Sequence, residues 1–219
     1  HTRCLRVSWA SEMCIRDRYK TVRAEAHTEL IEKRSRFIAH VKSVKTEEEA
    51  LGFLSEIRTE HSMATHNVFA YVLRDNNLSR FSDDGEPSKT AGPPVLDVIV
   101  REGLTNVIIV ITRYFGGTLL GTGGLVRAYG GAAKLGVDSA GICTITNCGV
   151  FLCECDYGNW GKLSNILQKV SVLDTEFTDK VLVKFAVAEQ QENIFLKELT
   201  EIFNGRLEPV RTGEMEMAL

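Results

Sequence analysis

Hydrophobic and polar residues follow two kinds of pattern along this chain, one typical of β-strands and one typical of α-helices. A continuous apolar run at Asn106–Thr112 predicts a buried central strand. Other β-type segments predict further strands at residues 37–42, 67–73, 80–82, 142–155, 172–177, 181–187 and 207–210. Apolar positions three or four residues apart predict helices that begin at Thr46, Ser88, Thr122 or Gly123, Asp156 and Asn193.

The predicted elements fall into two parts, with a boundary at Asp138–Gly141. From Ile142 onward the order is β-α-β-β-α-β, which is that of a ferredoxin-like domain. We therefore expect an α+β protein with one domain over residues 19–138, a second over residues 142–212 and a tail at 213–219. The helix of the first domain that follows Ser88 carries Pro93 and Pro94, which we expect in its first turn.

The first eighteen residues do not share this regularity. They have no clear apolar period and carry four arginines beside Trp9 and Cys14. The two acidic residues Glu12 and Asp17 argue against a mitochondrial presequence. We treat residues 1–18 as a doubtful leader and expect them to be poorly ordered.

Composition and charge narrow the class of protein. The 219 residues are 44% hydrophobic and 25% charged, which excludes disordered, collagen-like and disulfide-scaffold proteins. The net charge of −3 also argues against a dedicated basic nucleic-acid coat. The charge is uneven, because residues 1–141 carry a small positive excess and the remainder is acidic. We therefore expect any anion-binding site in the first part.

The longest apolar runs, Val95–Val100 and Val107–Ile111, are too short to span a bilayer. Six cysteines in 219 residues are too few for a disulfide framework, so we expect a cytoplasmic protein. Four of them lie on the predicted strand 142–155 without the turns of a zinc knuckle, which favours buried thiols over a metal site.

The segment with the densest candidate chemistry lies between the central strand and the next helix. Five glycines between Gly116 and Gly124 are flanked by Arg113 and Arg127, so backbone N–H groups and two guanidinium groups can converge on an anion. The spacing matches neither a Walker loop nor a dinucleotide fingerprint. A packing role for the glycines remains an equal alternative. The candidate anion- or RNA-binding residues are Arg113, Tyr114, Phe115, Gly116, Gly117, Gly121, Thr122, Gly123, Gly124 and Arg127.

A second candidate is the acidic segment Arg80–Gly92. Its carboxylates fit a hard cation or acid–base chemistry, although a turn followed by a helix cap is the favoured interpretation. His66 joins this set if the fold brings it close, and for His61 and His66 a structural hydrogen-bonding role is favoured over zinc ligation. The candidate ligand loop comprises His66, Ser82, Asp83, Asp84, Glu86, Ser88 and Thr90.

Four motifs together resemble the YigZ/IMPACT family: Ala64–Asn67, Ser82–Ser88, Thr90–Gly92 and Thr112–Tyr129. The resemblance implies a ribosomal-protein-S5-domain-2-like fold for the first domain and, for the second, a domain similar to one found in a translation elongation factor. It also implies a role in regulating translation. The eukaryotic members bind a ribosome-associated activator of an initiation-factor kinase, and the resemblance brings no established catalytic residue or cofactor.

Three hypotheses for function follow. The first is a non-enzymatic translation regulator that binds RNA or a ribosome-associated partner, with Arg113 and Arg127 on phosphate and Tyr114 and Phe115 stacked on a base. The second is an enzyme or binding protein for a phosphorylated small molecule, with a divalent cation held by the acidic segment. The third is a protein-interaction module that uses no nucleic acid. We expect no cofactor under the first hypothesis.

Overall fold

A computed structural model describes residues 18–218, with the backbone alone for Asn76. The doubtful leader therefore lies outside the described residues, apart from Arg18, which begins the first strand. The described chain divides into two compact units, one of residues 19–144 and the other of residue 18 with residues 145–218. Of the helices that the structure describes, none has an apolar stretch long enough to cross a bilayer.

The first unit contains a five-stranded antiparallel sheet with the order β2-β3-β6-β4-β5. Its strands, with β1 preceding them, are β1 (Arg18–Val22), β2 (Ala26–Glu32), β3 (Ser35–Ser43), β4 (His66–Leu73), β5 (Leu78–Ser82) and β6 (Val107–Tyr114). Its helices are α1 (Glu47–Glu60), α2 (Gly92–Arg101) and α3 (Thr122–Ala140), with a 3₁₀ turn at Asp75–Asn77.

The central strand β6 is buried along both faces, as its continuous apolar run predicts. Ile109 and Ile111 pack into the core that contains α2 and α3, whereas Ile108 and Val110 pack into the core that contains α1. The unit is thus three layers deep, with one helix on one face of the sheet and two on the other.

Thr46 with Glu49 three residues later predicts a capping box at the start of helix α1, and the structure shows the half of it made by the Thr46 side chain. The N-cap Thr46 side chain accepts from the N–H of Glu49, and the Glu49 carboxylate accepts from the N–H of Lys45. Helix α2 differs from the prediction, because it begins at Gly92 and not at Ser88. Pro93 and Pro94 do lie in its first turn. The residues before it are held as a loop by hydrogen bonds to Asp83, described below. Helix α3 continues through the predicted boundary to Ala140.

The second unit has the strand order β10-β7-β9-β8, which is that of a ferredoxin-like sheet. Its elements are β7 (Ile142–Cys155), α4 (Tyr157–Leu167), β8 (Ser171–Phe177), β9 (Val181–Ala188), α5 (Glu189–Ile202) and β10 (Val210–Ala218). The first residues of β7 belong to the first unit, and β1 is a neighbouring strand of β7 there. The core lies between this sheet and its two helices, with Leu163 and Leu199 fully buried. The α+β fold class with these two domain types agrees with the prediction.

Two details of the second unit differ from the sequence-based expectation. The sequence predicts a last strand at residues 207–210 and a tail at residues 213–219. In the structure the last strand spans Val210–Ala218, so it includes most of the residues that were assigned to the tail. It pairs with β7 from Leu152 back to Ile145, so the partner strand and not a local pattern defines it. Cys143, Cys148, Cys153 and Cys155 are buried free thiols, as predicted, and burial raises the pKa of Cys153 to about 11.

Candidate functional site

The acidic segment forms the loop between β5 and α2, and each of its carboxylates has a different partner. Asp83 caps helix α2: its Oδ1 accepts from the N–H of Ala91 at 3.0 Å and of Gly92 at 2.8 Å. Its Oδ2 accepts from the N–H of Lys89 at 2.8 Å. The capping role, favoured from the sequence, is what the structure shows for this residue.

Asp84 forms hydrogen bonds that connect the loop to β4 and α1. Its Oδ2 accepts from the N–H of Asn67 at 2.6 Å, and its Oδ1 accepts from the Arg58 guanidinium at 2.8 Å. Its own N–H donates to the Ser82 hydroxyl at 3.1 Å, within a turn where Asp84 and Gly85 both have positive φ. Both carboxylate oxygens of Asp84 are therefore occupied by protein donors.

Glu86 is the buried member of the loop, with a side chain only 3% exposed. Its Oε1 accepts from Arg113 Nη1 at 2.5 Å and from the Tyr129 hydroxyl at 2.7 Å. Burial, together with the hydrogen bond to Glu86, raises the pKa of Tyr129 far above its ordinary value, so this hydroxyl stays protonated. The buried carboxylate is thus neutralised by one cation and satisfied by a second donor.

His66 lies at the start of β4, directly beside this group. Its Nδ1 is 2.8 Å from the Asp84 carbonyl oxygen, and because a carbonyl only accepts, Nδ1 carries the hydrogen. In the neutral ring Nε2 is therefore an acceptor, and it lies 3.8 Å from Glu86 Oε1. The hypothesis that His66 meets the acidic loop is correct in geometry.

The remaining members of the candidate ligand loop do not join this group. Thr90 is buried and its hydroxyl donates to the Pro87 carbonyl at 2.6 Å, while Ser88 is exposed. Among residues 18–218, no three His, Cys, Asp or Glu side chains are arranged to hold a metal ion. The carboxylates do not converge as a cation site requires, because the protein's own donors draw each toward a different element.

The glycine segment connects β6 to α3, and its first glycine is held tightly. A Cβ on Gly116 would lie 2.1 Å from the backbone of Arg34, so only glycine fits there. Gly117 and Gly121 both have positive φ, and Gly121 is the N-cap of α3. Gly123 and Gly124 lie in the first turn of that helix. The packing interpretation is thus required at Gly116, and a Cβ on Gly124 would also lie only 3.0 Å from that of Leu120, whereas a Cβ on Gly117 or Gly121 would meet nothing within 4 Å.

A cleft of about 430 Å³ lies between the acidic loop, the end of β6 and the start of α3. Five apolar residues form much of its wall: Pro87, Phe115, Leu119, Leu120 and Leu125. The rest of the lining consists of Thr65, His66, Gly85, Glu86, Arg113, Gly121 and Thr122. Both candidate segments therefore contribute to one cleft.

The structure separates the two arginines that the sequence pairs. Arg113 is buried against Glu86, with its guanidinium carbon 5.4 Å from the Phe37 ring centre and 5.6 Å from that of Phe115. Arg127 is exposed and lines another groove, between α2 and α3. Tyr114 does not line the cleft, since its hydroxyl lies 3.0 Å from His61 Nδ1 and its ring contacts Arg36. Of Arg113, Tyr114 and Arg127, only Arg113 lines the cleft, although Arg127 Nη1 lies 3.6 Å from the position of a Cβ on Gly123 in the first turn of α3.

Sequence reasoning missed several residues of the cleft. Tyr129 lies at helical spacing from Leu125 and Ala132, which predicts a core residue of α3, although its hydroxyl donates to Glu86. Thr65, Leu120 and Leu125 also line the cleft; they lie within the motifs Ala64–Asn67 and Thr112–Tyr129 but carry no chemistry that marks them as site residues. The signal available for Tyr129 was a polar atom on a fully buried helix face.

A second polar cluster lies on the α1 side of the sheet and contains three histidines. His40 Nδ1 is 2.8 Å from His27 Nδ1, and the rings of His40 and His61 are 5.0 Å apart. His40 Nε2 lies 3.4 Å from the hydroxyl of Thr112. Burial, with smaller effects of His61 and His27, lowers the pKa of His40 to about 4. This residue is therefore neutral at physiological pH.

Comparison with known proteins identifies the family. The profile of the Impact N-terminal domain matches residues 33–137, and that of a domain of unknown function, DUF1949, matches residues 153–206. The IMPACT family member YvyE of Bacillus subtilis is 37% identical over 200 residues, which are 90% of this chain and 92% of that protein. The chain belongs to the IMPACT family.

Other members of the IMPACT family support the same assignment. YigZ of Escherichia coli is 32% identical over 181 residues, covering 80% of this chain and 89% of that protein. Protein IMPACT of Oryctolagus cuniculus is 34% identical over 98 residues, which are 42% of this chain and 30% of that protein. A solved crystal structure described as that of an hypothetical protein is 29% identical, with a TM-score of 0.58 over 90% of this chain and 98% of its own.

Proposed function

We propose that this IMPACT-family protein is a cytoplasmic, non-enzymatic regulator of translation that binds single-stranded RNA at the cleft. The observation that carries the proposal is the start of α3, beside the exposed ring of Phe115. The N–H groups of Thr122, Gly123 and Gly124 have no acceptor among the described residues, because a helix leaves its first donors unsatisfied and Gly121 has no side chain. Such a helix start binds phosphate.

Phe115 supplies the second part of an RNA site. Its side chain lines the cleft and is 48% exposed, so one face is available to a base. Stacking on an aromatic ring contributes about 1–3 kcal/mol per base and tolerates any sequence. A backbone phosphate on the helix start with a base on Phe115 is the arrangement that these residues support.

Binding at this site has a characteristic dependence on salt. Because Arg113 is already paired with Glu86, the phosphate meets peptide N–H groups and at most one cationic side chain, that of Arg127, whose Nη1 lies 3.6 Å from the position of a Cβ on Gly123. Few counterions are then released, since the slope of log K against log salt is about −0.7 for each neutralised phosphate of a single strand. We expect a slope near −1, well below that of a protein with an extended basic surface.

The test is RNA binding by Phe115→Ala, measured by fluorescence anisotropy with a labelled single-stranded oligonucleotide. Loss of one stacked base predicts affinity weaker by about 5- to 150-fold. Phe81→Ala is the matched control, because Phe81 is 47% exposed and lies outside the cleft. Arg113→Ala is less suitable, because it leaves Glu86 buried without its cation.

Equal binding by the Phe115→Ala and Phe81→Ala variants would place the RNA elsewhere and overturn the proposal. Co-sedimentation with ribosomes, with and without nuclease, separates RNA from a protein partner. Nuclease is expected to release the protein, whereas retention after nuclease treatment would favour the protein-interaction hypothesis.

A further inference from the structure

We propose that strand β8 of the second unit is the docking site of an extended peptide segment of a partner protein, in which basic and apolar residues alternate. The segment pairs with β8 as an additional strand of the sheet, which is a recurrent mode of peptide recognition. The inference goes beyond the proposed function, because it concerns the second unit and does not depend on the RNA cleft. Three observations lead to it: an open strand edge, an exposed apolar strip and an acidic strip.

The first observation is the open edge of the sheet. Strand β8 lies at one end of the order β10-β7-β9-β8 and pairs with β9 alone among the strands that the structure describes. The N–H of Thr175 donates to the Asp174 carboxylate at 2.8 Å, whereas the N–H of Thr178, at the turn into β9, donates to the Lys180 carbonyl at 2.9 Å. Inward and outward groups alternate along an antiparallel strand, so the N–H groups of Thr175 and Phe177 are directed to the open edge. Such an edge is a template for a further strand.

The second observation is an exposed apolar strip at this edge, formed by Val172, Phe177 and Tyr157. Val172 and Phe177 pair with core residues of β9, so they lie on the face of the sheet that the helices cover. Phe177 is nevertheless 59% exposed, and its ring stacks on that of Tyr157 with the ring centres 6.5 Å apart. The ring of Trp160 meets Phe177 edge-on, with its centre at 5.6 Å. Grouped apolar side chains of this kind mark a surface that binds a partner.

The third observation is an acidic strip on the opposite face of the same strand, formed by Asp174 and Glu176. Both side chains are exposed, and Asp174 lies opposite Lys184 of β9. Neither carboxylate forms an ion pair with a cation in the described part of the chain, and the Lys184 ammonium is no exception. Lys180, in the turn after β8, is already paired with Glu154. The acidic strip therefore lacks cations that a partner can supply.

The two strips together define the pattern of the docked segment. Side chains of a strand alternate between the two faces of a sheet. A segment with a basic residue at every second position places these residues beside the acidic strip and the apolar residues between them on the apolar strip. A carbonyl of the segment replaces the Asp174 carboxylate as the acceptor of the Thr175 N–H, and the released carboxylate pairs with a basic side chain.

The charge of the second unit argues against two other occupants of this edge. Residues 145–218 carry twelve acidic and seven basic side chains, so RNA would bring its phosphates to an acidic surface. A second copy of the chain, paired through its own β8, would add another acidic strip to the same sheet, and like charges on neighbouring strands are destabilising. The charges favour a basic segment of another protein.

The experiment measures binding of a labelled nine-residue peptide of alternating Arg and Val to the full chain by fluorescence anisotropy. One control peptide has the same composition with Arg and Val in blocks, and another alternates Glu with Val. We expect the alternating basic peptide to bind at least tenfold more tightly than either control, and added salt to weaken it. Hydrogen exchange should show new protection in residues 171–177. Equal binding of the block peptide, or protection confined to other segments, overturns the proposal.

Two pairs of variants test the two strips. Glu176→Lys reverses one charge of the acidic strip and is expected to weaken peptide binding at least tenfold, whereas Glu201→Lys, at an exposed position of α5, should bind as the wild type does. Phe177→Ala is expected to weaken binding at least fivefold, and its control is Ile194→Ala, where the side chain is 70% exposed on α5. Equal losses within either pair overturn the assignment to β8.

Other occupants of the β8 edge would give different results in the same exchange measurement. Protection of residues 171–177 that rises with protein concentration, without peptide, would assign the edge to a second copy and overturn the proposal. Protection of these residues by single-stranded RNA would assign the edge to nucleic acid and also overturn it. Phe115→Ala separates this inference from the proposed function, because it is expected to weaken RNA binding and to leave peptide binding unchanged.

Discussion

Acidification is expected to destabilise the first unit through His40. This side chain is 2% exposed and lies between His27 and His61, with Thr112 on its other nitrogen. Burial lowers its pKa from 6.5 to about 4. The His40 ring is therefore neutral in the folded protein, and its protonation opposes folding.

The direction of the effect follows from proton binding in the two states. Between pH 6.5 and about pH 4 the unfolded chain holds a proton on His40 that the folded chain does not. Stability from this residue is thus complete above pH 6.5 and falls as the pH is lowered toward 4. The difference between the two pKa values corresponds to about 3 kcal/mol. That is a large part of the 5–15 kcal/mol that holds a typical domain folded.

Urea denaturation followed by far-UV circular dichroism, at several pH values between 7.5 and 4.5, measures this loss. The wild type is expected to lose up to about 3 kcal/mol more than His40→Gln over this range. NMR titration of the His40 ring in the wild type provides a check that needs no variant. Parallel loss of stability in both proteins, or a ring that titrates near pH 6.5, would refute the role of His40.

Two further sets of variants test the packing around the cleft and along α3. Glu86→Ala is expected to cost about 3–5 kcal/mol in chemical denaturation, because it leaves Arg113 buried without its carboxylate; a loss below 1 kcal/mol would contradict this. Gly136→Ala is expected to cost about 1–3 kcal/mol, because its Cβ would lie 2.7 Å from a methyl group of Val41. Gly130→Ala, in open space on the same helix, should stabilise by about 0.5–1 kcal/mol, and equal thermal shifts for the two glycines would contradict the packing.

Much of the fold follows from local patterns. The buried strand β6, the N-cap at Thr46 and the prolines in the first turn of α2 are each defined by neighbouring residues, and the structure confirms them. The last strand was displaced in the prediction, because pairing with β7 defines Val210–Ala218. A partner far away in sequence leaves no local periodicity to read.

The candidate site was predictable in its residues but not in its pairings. The sequence indicates that His66 and the acidic loop carry polar chemistry, and the structure brings them together. The sequence does not indicate that Arg113 forms an ion pair with Glu86, because the two residues are 27 positions apart in the chain. Nor does it distinguish Tyr129 from a core residue, since its hydroxyl meets Glu86 across 43 residues.

The hydrogen bonds of the acidic loop also limit which insertions into the chain the first unit can tolerate. Within four residues, Asp83 binds the start of α2, Asp84 binds β4 and α1, and Glu86 binds β6 and α3. One inserted residue adds about 3.5 Å of chain, which is more than a hydrogen bond can absorb, so at least one of these attachments would break. The turn at Asp75–Asn77 is expected to accept insertions that this loop excludes. In a library of single-residue insertions, functional members should therefore keep one fixed spacing from Asp83 to Glu86.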